Sequence, residues 1–146
     1  MHGISFIKSN GYRPGNKHVM LMTYFHLRIA EAFVDLGRGD EARRHISFSS
    51  ISPGGAIQGR RQMSLLAEYH KIQGKIYFIE ENYNESIKQF SNHLYYAALL
   101  FGPRNIKLAV GYFMLGQSFS KQRELRSCPS SFDQTKACIK LVLDIW

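Results

Sequence analysis

The sequence predicts an all-α fold, a solenoid of three helix pairs, on the strength of three observations. Apolar residues recur at spacings of three and four along most of the 146-residue chain, which is the period of a helix with one buried face. A small residue returns in mid-helix as Ala30, Gly74 and Gly116, at steps of 44 and 42 residues. The four prolines all lie outside the long periodic segments. A shared period of this size is typical of stacked repeats.

The clearest helix pair lies within residues 62–103. A polar turn at 80–85 separates its two apolar stripes, and Asn82 or Asn84 can accept hydrogen bonds from the first free amides of the second helix. The second helix is predicted to end at Gly102, which suits a left-handed cap and precedes a proline that cannot continue the helix.

The other elements follow from the same period and from turn-forming residues. We predict an extended lead-in at residues 1–16 and a repeat domain at 17–146, with repeats at about 17–59, 60–103 and 104–146. The pattern predicts, in order, helices at 17–36 and 40–49, a linker at 49–59, a helix at 105–121, a loop at 122–132 and a helix from 133 to the end. Asp40 is the expected N-cap of the second helix.

Glycine recurs at the same phase of two repeats, as Gly74 and Gly116, with Ala30 in the first. A glycine inside a helix costs about 1 kcal/mol relative to alanine, so a repeated one needs a physical reason. The pattern predicts that two helix backbones cross closely at each of these positions, where a larger side chain would hold them apart.

The chain is basic, with 19 Lys and Arg against 11 Asp and Glu, a net charge of +8. Such a charge attracts polyanions, whether nucleic acid, an anionic membrane or an acidic protein surface. Here the basic residues are dispersed along the chain, and only Arg43–Arg44 and Arg60–Arg61 are adjacent pairs. Dispersed charge is typical of a solvated surface.

The two cysteines, Cys128 and Cys138, lie ten residues apart, and no second pair completes a zinc set. We therefore expect no structural metal. The N-terminus lacks an apolar stretch of leader length, so we expect a reducing compartment and free thiols. No run approaches the roughly 18 apolar residues that cross a bilayer, and we expect no membrane association.

No group of residues in the sequence indicates catalysis. The six histidines are scattered, and His93 has neither an acid nor a nucleophile placed beside it. His26 and His70 fall four residues before Ala30 and Gly74, a phase that predicts core or interface histidines. Without paired carboxylates or a nucleophile with its base, we expect a non-enzymatic protein without cofactors.

A repeat array instead offers a concave surface formed by the first helix of each pair. By repeat phase this inner surface is predicted to hold Tyr24, Leu27, Glu31, Val34, Glu68, Lys71, Lys75, Phe78, Val110, Phe113, Gln117 and Lys121. Because its middle is basic and aromatic, we expect an acidic or amphipathic segment of a partner protein to bind there. Charge reversal at Lys71 and Lys75 should then weaken binding more than reversal at Lys88 or Lys136.

Four residues of the second repeat, Gly74, Tyr77, Tyr83 and Phe90, occupy matching phases of the tetratricopeptide pattern. Gln73 departs from it, because the pattern has Leu there. The second repeat thus resembles a tetratricopeptide repeat. The spacing of 42–44 residues between repeats is longer than the usual 34 and is similar to the repeat length of kinesin light chains. The resemblance implies a tetratricopeptide-like helical-hairpin solenoid.

A narrower resemblance covers roughly residues 18–146. It is carried by Glu-Asn-Tyr-Asn-Glu-Ser at 81–86, His-Leu-Tyr-Tyr-Ala-Ala at 93–98, Gly-Tyr-Phe-Met-Leu-Gly at 111–116 and Asp-Ile-Trp at 144–146. These segments resemble the helical part of ciliary proteins in which a MYND zinc finger precedes tetratricopeptide repeats. The finger itself is missing here, and a segment at 127–132 is a second departure.

The narrower resemblance implies a component of the axoneme of cilia and flagella, placed near the inner dynein arms beside another tetratricopeptide protein. Together with the repeat pattern, it predicts a protein–protein interaction scaffold. The alternative is a basic helical-repeat protein that binds RNA, suggested by the net charge and the aromatic residues. No side-chain pairs recur at fixed positions as a base-reading code requires, so nucleic acid is the less favoured partner.

Overall fold

The computed structural model describes residues 14–49, 51, 59–126 and 129–145, and within them it contains helices and no strand. The elements are α1 Pro14–Asp35, α2 Gly39–Phe48, α3 Arg60–Ile79, α4 Tyr83–Phe101, a 3₁₀ turn Ile106–Leu108, α5 Ala109–Arg126 and α6 Pro129–Ile145. The prediction of an all-α fold is confirmed for this part of the chain.

The six helices pack in neighbouring pairs. α1 packs on α2, α3 on α4, and α5 on α6, while further contacts join α1 and α2 to α3, and α4 to α5. Within the part of the chain that the structure describes, the middle pair therefore has neighbours on both sides, whereas each outer pair has a neighbour on one side.

Two clusters of buried apolar side chains hold the pairs together. The first joins α1, α2 and the facing side of α3 through Leu27, Ala30, Val34, Ala42, Ile46, Ile72 and Ile76. The second joins α4, the 3₁₀ turn, α5 and α6 through Phe90, Leu94, Ala97, Leu108, Leu115 and Cys138. Burial of such side chains is the main favourable contribution to folding, at about 1.5–3 kcal/mol for each large one.

The close helix crossings expected from the recurring small residues are present. A Cβ atom built on Gly74 would lie 2.9 Å from the ring of Phe90, and one on Gly116 would lie 3.2 Å from Cβ of Cys138. Ala30 is completely buried in the first cluster. At Gly74 an added side chain would collide with Phe90, and at Gly116 even a Cβ atom would be tightly packed against Cys138.

A hydroxyl of the second helix reinforces two of these crossings. Ser86 Oγ donates to the carbonyl of Gly74 over 2.9 Å, and Thr135 Oγ1 donates to that of Gly116 over 3.4 Å. Ser86 Oγ also lies 3.0 Å from Ser118 Oγ, which links α4 to α5. Ser86 and Ser118 are fully buried, and both hydroxyls have hydrogen-bond partners, as buried polar groups must.

The turns use the residues that local chemistry favours. Asn82 is the N-cap of α4, and its side chain accepts from the backbone N–H of Glu85 over 3.4 Å, so Asn82 rather than Asn84 is the cap. Gly37 and Gly102, which follow α1 and α4, have φ of +73° and +87°, a region that favours glycine. Both glycine stops match the sequence prediction.

The predicted loop at 122–132 is wrong, because α5 continues to Arg126 and α6 begins at Pro129. Residues 122–126 are mostly good helix formers, and Lys121 pairs with Glu124 over 2.9 Å on the exposed face. Proline at the first helical position loses no hydrogen bond, so Pro129 starts a helix rather than preventing one.

Other boundaries differ by a few residues for similar reasons. α1 begins at Pro14, three residues before the predicted start, again with proline in the first position. Asp40 lies in the first turn of α2, and Arg38 occupies the N-cap without a side-chain hydrogen bond. The predicted lead-in up to residue 13, most of the predicted linker and Cys128 lie outside the described residues.

Candidate partner-binding surfaces

The structure divides the twelve residues predicted for the inner surface into three groups. Leu27 and Val34 are buried in the first core cluster, with 1% and 7% of their surface exposed, so their assignment to a binding surface was wrong. Half-buried residues are Glu31, Glu68, Lys71, Lys75 and Phe78, and exposed residues are Tyr24, Val110, Phe113, Gln117 and Lys121. The two core residues were misplaced because α2 and α3 close over that side of α1.

Four of the predicted residues meet in one ion-pair network that joins α1 to α3. Lys71 Nζ lies 2.7 Å from Glu68 and 3.1 Å from Glu31, and Lys75 Nζ lies 3.2 Å from Asp35. Arg28, which the sequence analysis did not select, bonds to both Glu31 and Glu68, at 2.7 and 3.1 Å. Three basic and three acidic side chains therefore neutralise one another. The middle of the inner surface, which was predicted to be basic, has no excess of positive charge in this network.

The ionisation of this network follows from its partial burial. Burial opposes the charge of Glu68, but Lys71 and Arg28 outweigh it and hold the pKa of that carboxyl below its usual value. Burial likewise opposes the charge of Lys71, yet Glu68 and Glu31 raise the pKa of the ammonium group above its usual value. Glu68 and Lys71 therefore stay charged at neutral pH, and their ion pairs link the first two helix pairs.

A cleft of about 470 Å³ lies at the amino-terminal end of the inner surface, between α1 and the start of α3. Its lining residues are Lys17, Met20, Leu21, Tyr24, Arg61, Ser64 and Leu65. Most of that lining is apolar, and its two charged residues, Lys17 and Arg61, are both basic. The volume lies within the range of ligand and peptide side-chain pockets.

The adjacent arginines at the start of α3 have separate roles. Arg60 donates to the backbone carbonyl of Leu100 over 2.9 Å and so ties α3 to the last turn of α4. Arg61 is exposed and lines the cleft. The pair is visible in the sequence but does not indicate a site there, because only the packing of α1 against α3 forms the cleft.

The face of α1 turned away from the core is apolar, and we call it the outer stripe. Its residues are Met22, Phe25 and Ile29 of α1 and Leu36, which directly follows the helix, and they are exposed to 44%, 50%, 41% and 71%. The α3 residues 44 positions after the first three are Leu66, Tyr69 and Gln73, which are buried or half-buried. The difference arises because α3 is covered from both sides and α1 from one.

Two buried histidines sit between α3 and α4. His70 Nδ1 donates to Gln89 Oε1 over 2.7 Å, and its ring stacks on Tyr96. His93 Nδ1 donates to the carbonyl of Ala67 over 2.8 Å, which leaves its buried Nε2 without a partner. Burial lowers the pKa of both rings, so both are neutral at pH 7.

These positions agree with the structural role predicted for two of the histidines. His70 lies in the core, and the half-buried His26 lies between α1 and α2, with its Nδ1 3.3 Å from Nδ1 of His45. His93 presses against Gly111, where an added Cβ would lie 2.7 Å from the ring. The sequence did not indicate this contact, since neither residue belongs to the recurring glycine phase.

Acidification from pH 7 to pH 5 is expected to lower the free energy of unfolding. Because burial lowers the folded pKa of His70 and His93, the unfolded chain binds more protons in this window. Their contribution to stability is complete above the unfolded value, about 6.5, and declines as the pH falls below it. Each ring adds a slope of at most about 1.4 kcal/mol per pH unit. Urea unfolding at pH 7, 6 and 5 measures this.

The variant His93→Gln is the matched control for this pH dependence. It removes one of the two titrating rings. The slope of the free energy of unfolding against pH should therefore fall by up to half, whatever the variant's stability at pH 7. If the free energy of unfolding of the wild-type chain stayed constant between pH 7 and pH 5, the assignment of His70 and His93 as buried neutral rings would be contradicted.

No protein-family model matches the chain, and no solved structure matches it. Within the described ranges, no three His, Cys, Asp or Glu side chains are grouped so that they hold a metal ion. Cys138 is a buried free thiol, and burial raises its pKa. No helix among the described residues has the length and apolar character to cross a membrane.

Proposed function

We propose that the chain is a non-enzymatic scaffold that binds other proteins, built as a tetratricopeptide-like solenoid of three helix pairs. The order of helix contacts supports this proposal. The first helices of successive pairs touch, α1 with α3 and α3 with α5, and each second helix touches the next first helix. Stacking of this kind creates an extended inner surface of the sort that repeat proteins use for binding.

The cleft between α1 and α3 is the observation that carries the proposal. It combines an apolar wall with two basic side chains, Lys17 and the exposed Arg61. An apolar side chain followed by a carboxylate matches this chemistry, because the first fills the cleft and the second pairs with Arg61. The proposed partner is therefore an apolar, acidic segment of another protein.

The setting proposed for this scaffold is the axoneme of cilia or flagella, near the inner dynein arms and beside another tetratricopeptide protein. It rests on the sequence segments at 81–86, 93–98 and 111–116. We expect the protein in the axonemal fraction of flagellated cells after detergent extraction. Its absence from that fraction in cells that express it would overturn this setting and leave the binding role to be tested separately.

Charge reversal by Arg61→Glu is expected to reduce copurification of the acidic partner about tenfold or more. A charge-assisted hydrogen bond contributes about 1.5–3 kcal/mol, and reversal adds repulsion. The measurement is quantitative mass spectrometry of tagged wild-type and variant protein recovered from the same cells. Lys88→Glu on α4 is the matched control, since Lys88 is 66% exposed and its ion pair among the described residues is with Glu85 of its own helix.

The same recovery experiment tests the alternative function. Equal recovery of all protein partners by wild-type protein and Arg61→Glu would exclude the cleft as the binding site. Recovery of RNA instead of protein, with retention that falls steeply as salt rises, would replace the scaffold by a nucleic-acid binder.

A further inference from the structure

We propose that one end of the helix stack binds a run of acidic residues in the partner protein. We call this surface the basic end and define it by Arg60 and Arg61, at the start of α3, and by Arg104 and Lys107, in the turn between α4 and α5. The inference rests on the proposed function, because the basic end adjoins the cleft and extends the binding site beyond it. It adds that the partner segment carries several carboxylates in a row, where the cleft alone pairs with one.

Acidic residues are distributed unevenly along the chain. The stretches 1–30, 42–67 and 86–123 contain no Asp or Glu, and the last two include the whole basic end. By contrast, the turns at 35–41 and 80–85 contain six of the eleven acidic residues. The second of these turns joins the far ends of α3 and α4, and the ion pair of Asp35 with Lys75 places the first beside it. The helix stack therefore has an acid-rich end and an acid-free end.

Contacts between neighbouring helices make the basic end one continuous surface. Arg61 lines the cleft, and the adjacent Arg60 donates to the carbonyl of Leu100, which joins the start of α3 to the last turn of α4. Lys107 Nζ lies 4.2 Å from the centre of the Phe101 ring, so the turn before α5 packs on the same end of α4. The surface thus runs from the cleft across the end of α4 to α5.

Ion pairing differs between the two ends of the stack. At the acid-rich end, Arg38 pairs with Glu41 at 2.6 Å and Arg43 pairs with Glu80 at 2.7 Å. The four side chains of the basic end are all exposed, and none of them forms an ion pair within the part of the chain that the structure describes. Positive charge without an internal counterion attracts an anionic partner over about 8 Å at physiological salt.

The shape of the surface favours an acidic protein segment over other polyanions. The adjoining cleft is concave, so an extended chain can enter it, whereas a flat lipid surface cannot. Single-stranded nucleic acid binds by stacking its bases on aromatic rings. The rings of Phe101 and of Tyr24 in the cleft already have Lys107 and Arg28 over them, at 4.2 and 5.2 Å, and so are poor platforms for a base.

The size of the surface sets the length of the acidic run. Neighbouring helices lie about 8–10 Å apart, so the path from the start of α3 over α4 to the turn before α5 is about 20 Å long. An extended chain covers about 3.3 Å per residue, which corresponds to about six residues. The matching ligand is an apolar residue next to about six acidic ones.

Fluorescence anisotropy with synthetic peptides tests the proposal. The probe is a fluorescent peptide of one leucine and about six glutamates, and its neutral counterpart has glutamine in place of every glutamate. The acidic peptide should bind at least about tenfold more tightly, and its affinity should fall about tenfold between about 0.05 and 0.3 M salt. Equal affinities of the two peptides would overturn the proposal.

The double variant Arg104→Glu with Lys107→Glu should weaken binding of the acidic peptide about tenfold, because reversal removes two attractions and adds two repulsions. The matched control is Arg38→Glu with Lys88→Glu, which changes the net charge equally at the opposite end and should alter the affinity by less than about twofold. Circular dichroism checks that both variants are folded. Equal weakening by both would show that net charge alone attracts the peptide and would refute the proposal.

Arg61→Glu separates the failure of this inference from the failure of the proposed function. If Arg61→Glu reduces recovery of the protein partner from cells and the double variant at Arg104 and Lys107 does not, the cleft binds its segment and this inference alone is wrong. Reduced recovery with both supports the extended site. Tighter binding of a single-stranded oligonucleotide, or of phosphatidylserine vesicles, than of the acidic peptide would assign the basic end to another class of ligand and would also overturn the proposal.

Discussion

Gly74→Val is expected to lower the free energy of unfolding by about 3 kcal/mol. Even a single added Cβ would lie 2.9 Å from the ring of Phe90, which is completely buried. Overpacking of a close-packed core costs about 1–3 kcal/mol, and valine adds two methyl groups beyond that Cβ. Urea denaturation followed by helical circular dichroism measures the change.

Gly39→Val is the matched control, because the nearest atom to its added Cβ is Ile79 Cγ2 at 3.9 Å. Its stability should change by less than about 1 kcal/mol. The double variant Gly74→Val with Phe90→Ala should be more stable than the two single effects predict, since the new side chain occupies the vacated space. Strictly additive effects would show that Gly74 and Phe90 do not compete for the same volume.

Lys71→Glu is expected to destabilise the chain by about 2 kcal/mol. The Lys71 side chain is 15% exposed and its ammonium group lies between Glu31 and Glu68, so reversal would gather three carboxylates at one place. Removing one partner of a buried ion pair costs about 3–5 kcal/mol, and partial exposure reduces that figure here. Thermal or urea unfolding at low and high salt measures the effect, which should shrink as salt rises.

Lys88→Glu again serves as the control, with an expected change below about 0.5 kcal/mol at its exposed position. The charge swap Glu68→Lys with Lys71→Glu should recover part of the loss, because it restores an opposite pair three residues apart. A Lys71→Glu variant as stable as wild type would contradict a structural role for the network. It would also return Lys71 to the set of partner-binding residues.

This network changes how the inner surface should be tested. Charge reversal at Lys71 or Lys75 would test a basic inner surface, but both side chains pair with acidic residues of the same chain. Loss of partner binding in those variants would combine two effects, a weakened α1–α3 contact and a changed surface. Arg61 separates them, because it lines the cleft and is exposed.

Helix number, order and most boundaries could be predicted because they depend on local chemistry. Glycine at positions 37 and 102 supplies left-handed backbone, and Asn82 caps the helix that follows it. The misplaced loop at 122–132 is the exception. It was inferred from low apolar content, whereas helix propensity and a proline in the first position govern that segment.

The sequence by itself determined that this protein is a set of paired helices with close crossings at Gly74 and Gly116, since periodicity and small residues are read along a single chain. Only the tertiary structure decided that Lys71 faces Glu31, that Arg61 borders an apolar cleft, and that Met22, Phe25 and Ile29 of α1 are exposed. Those properties depend on which helices lie side by side, and charges 40 residues apart meet only after the helices have packed.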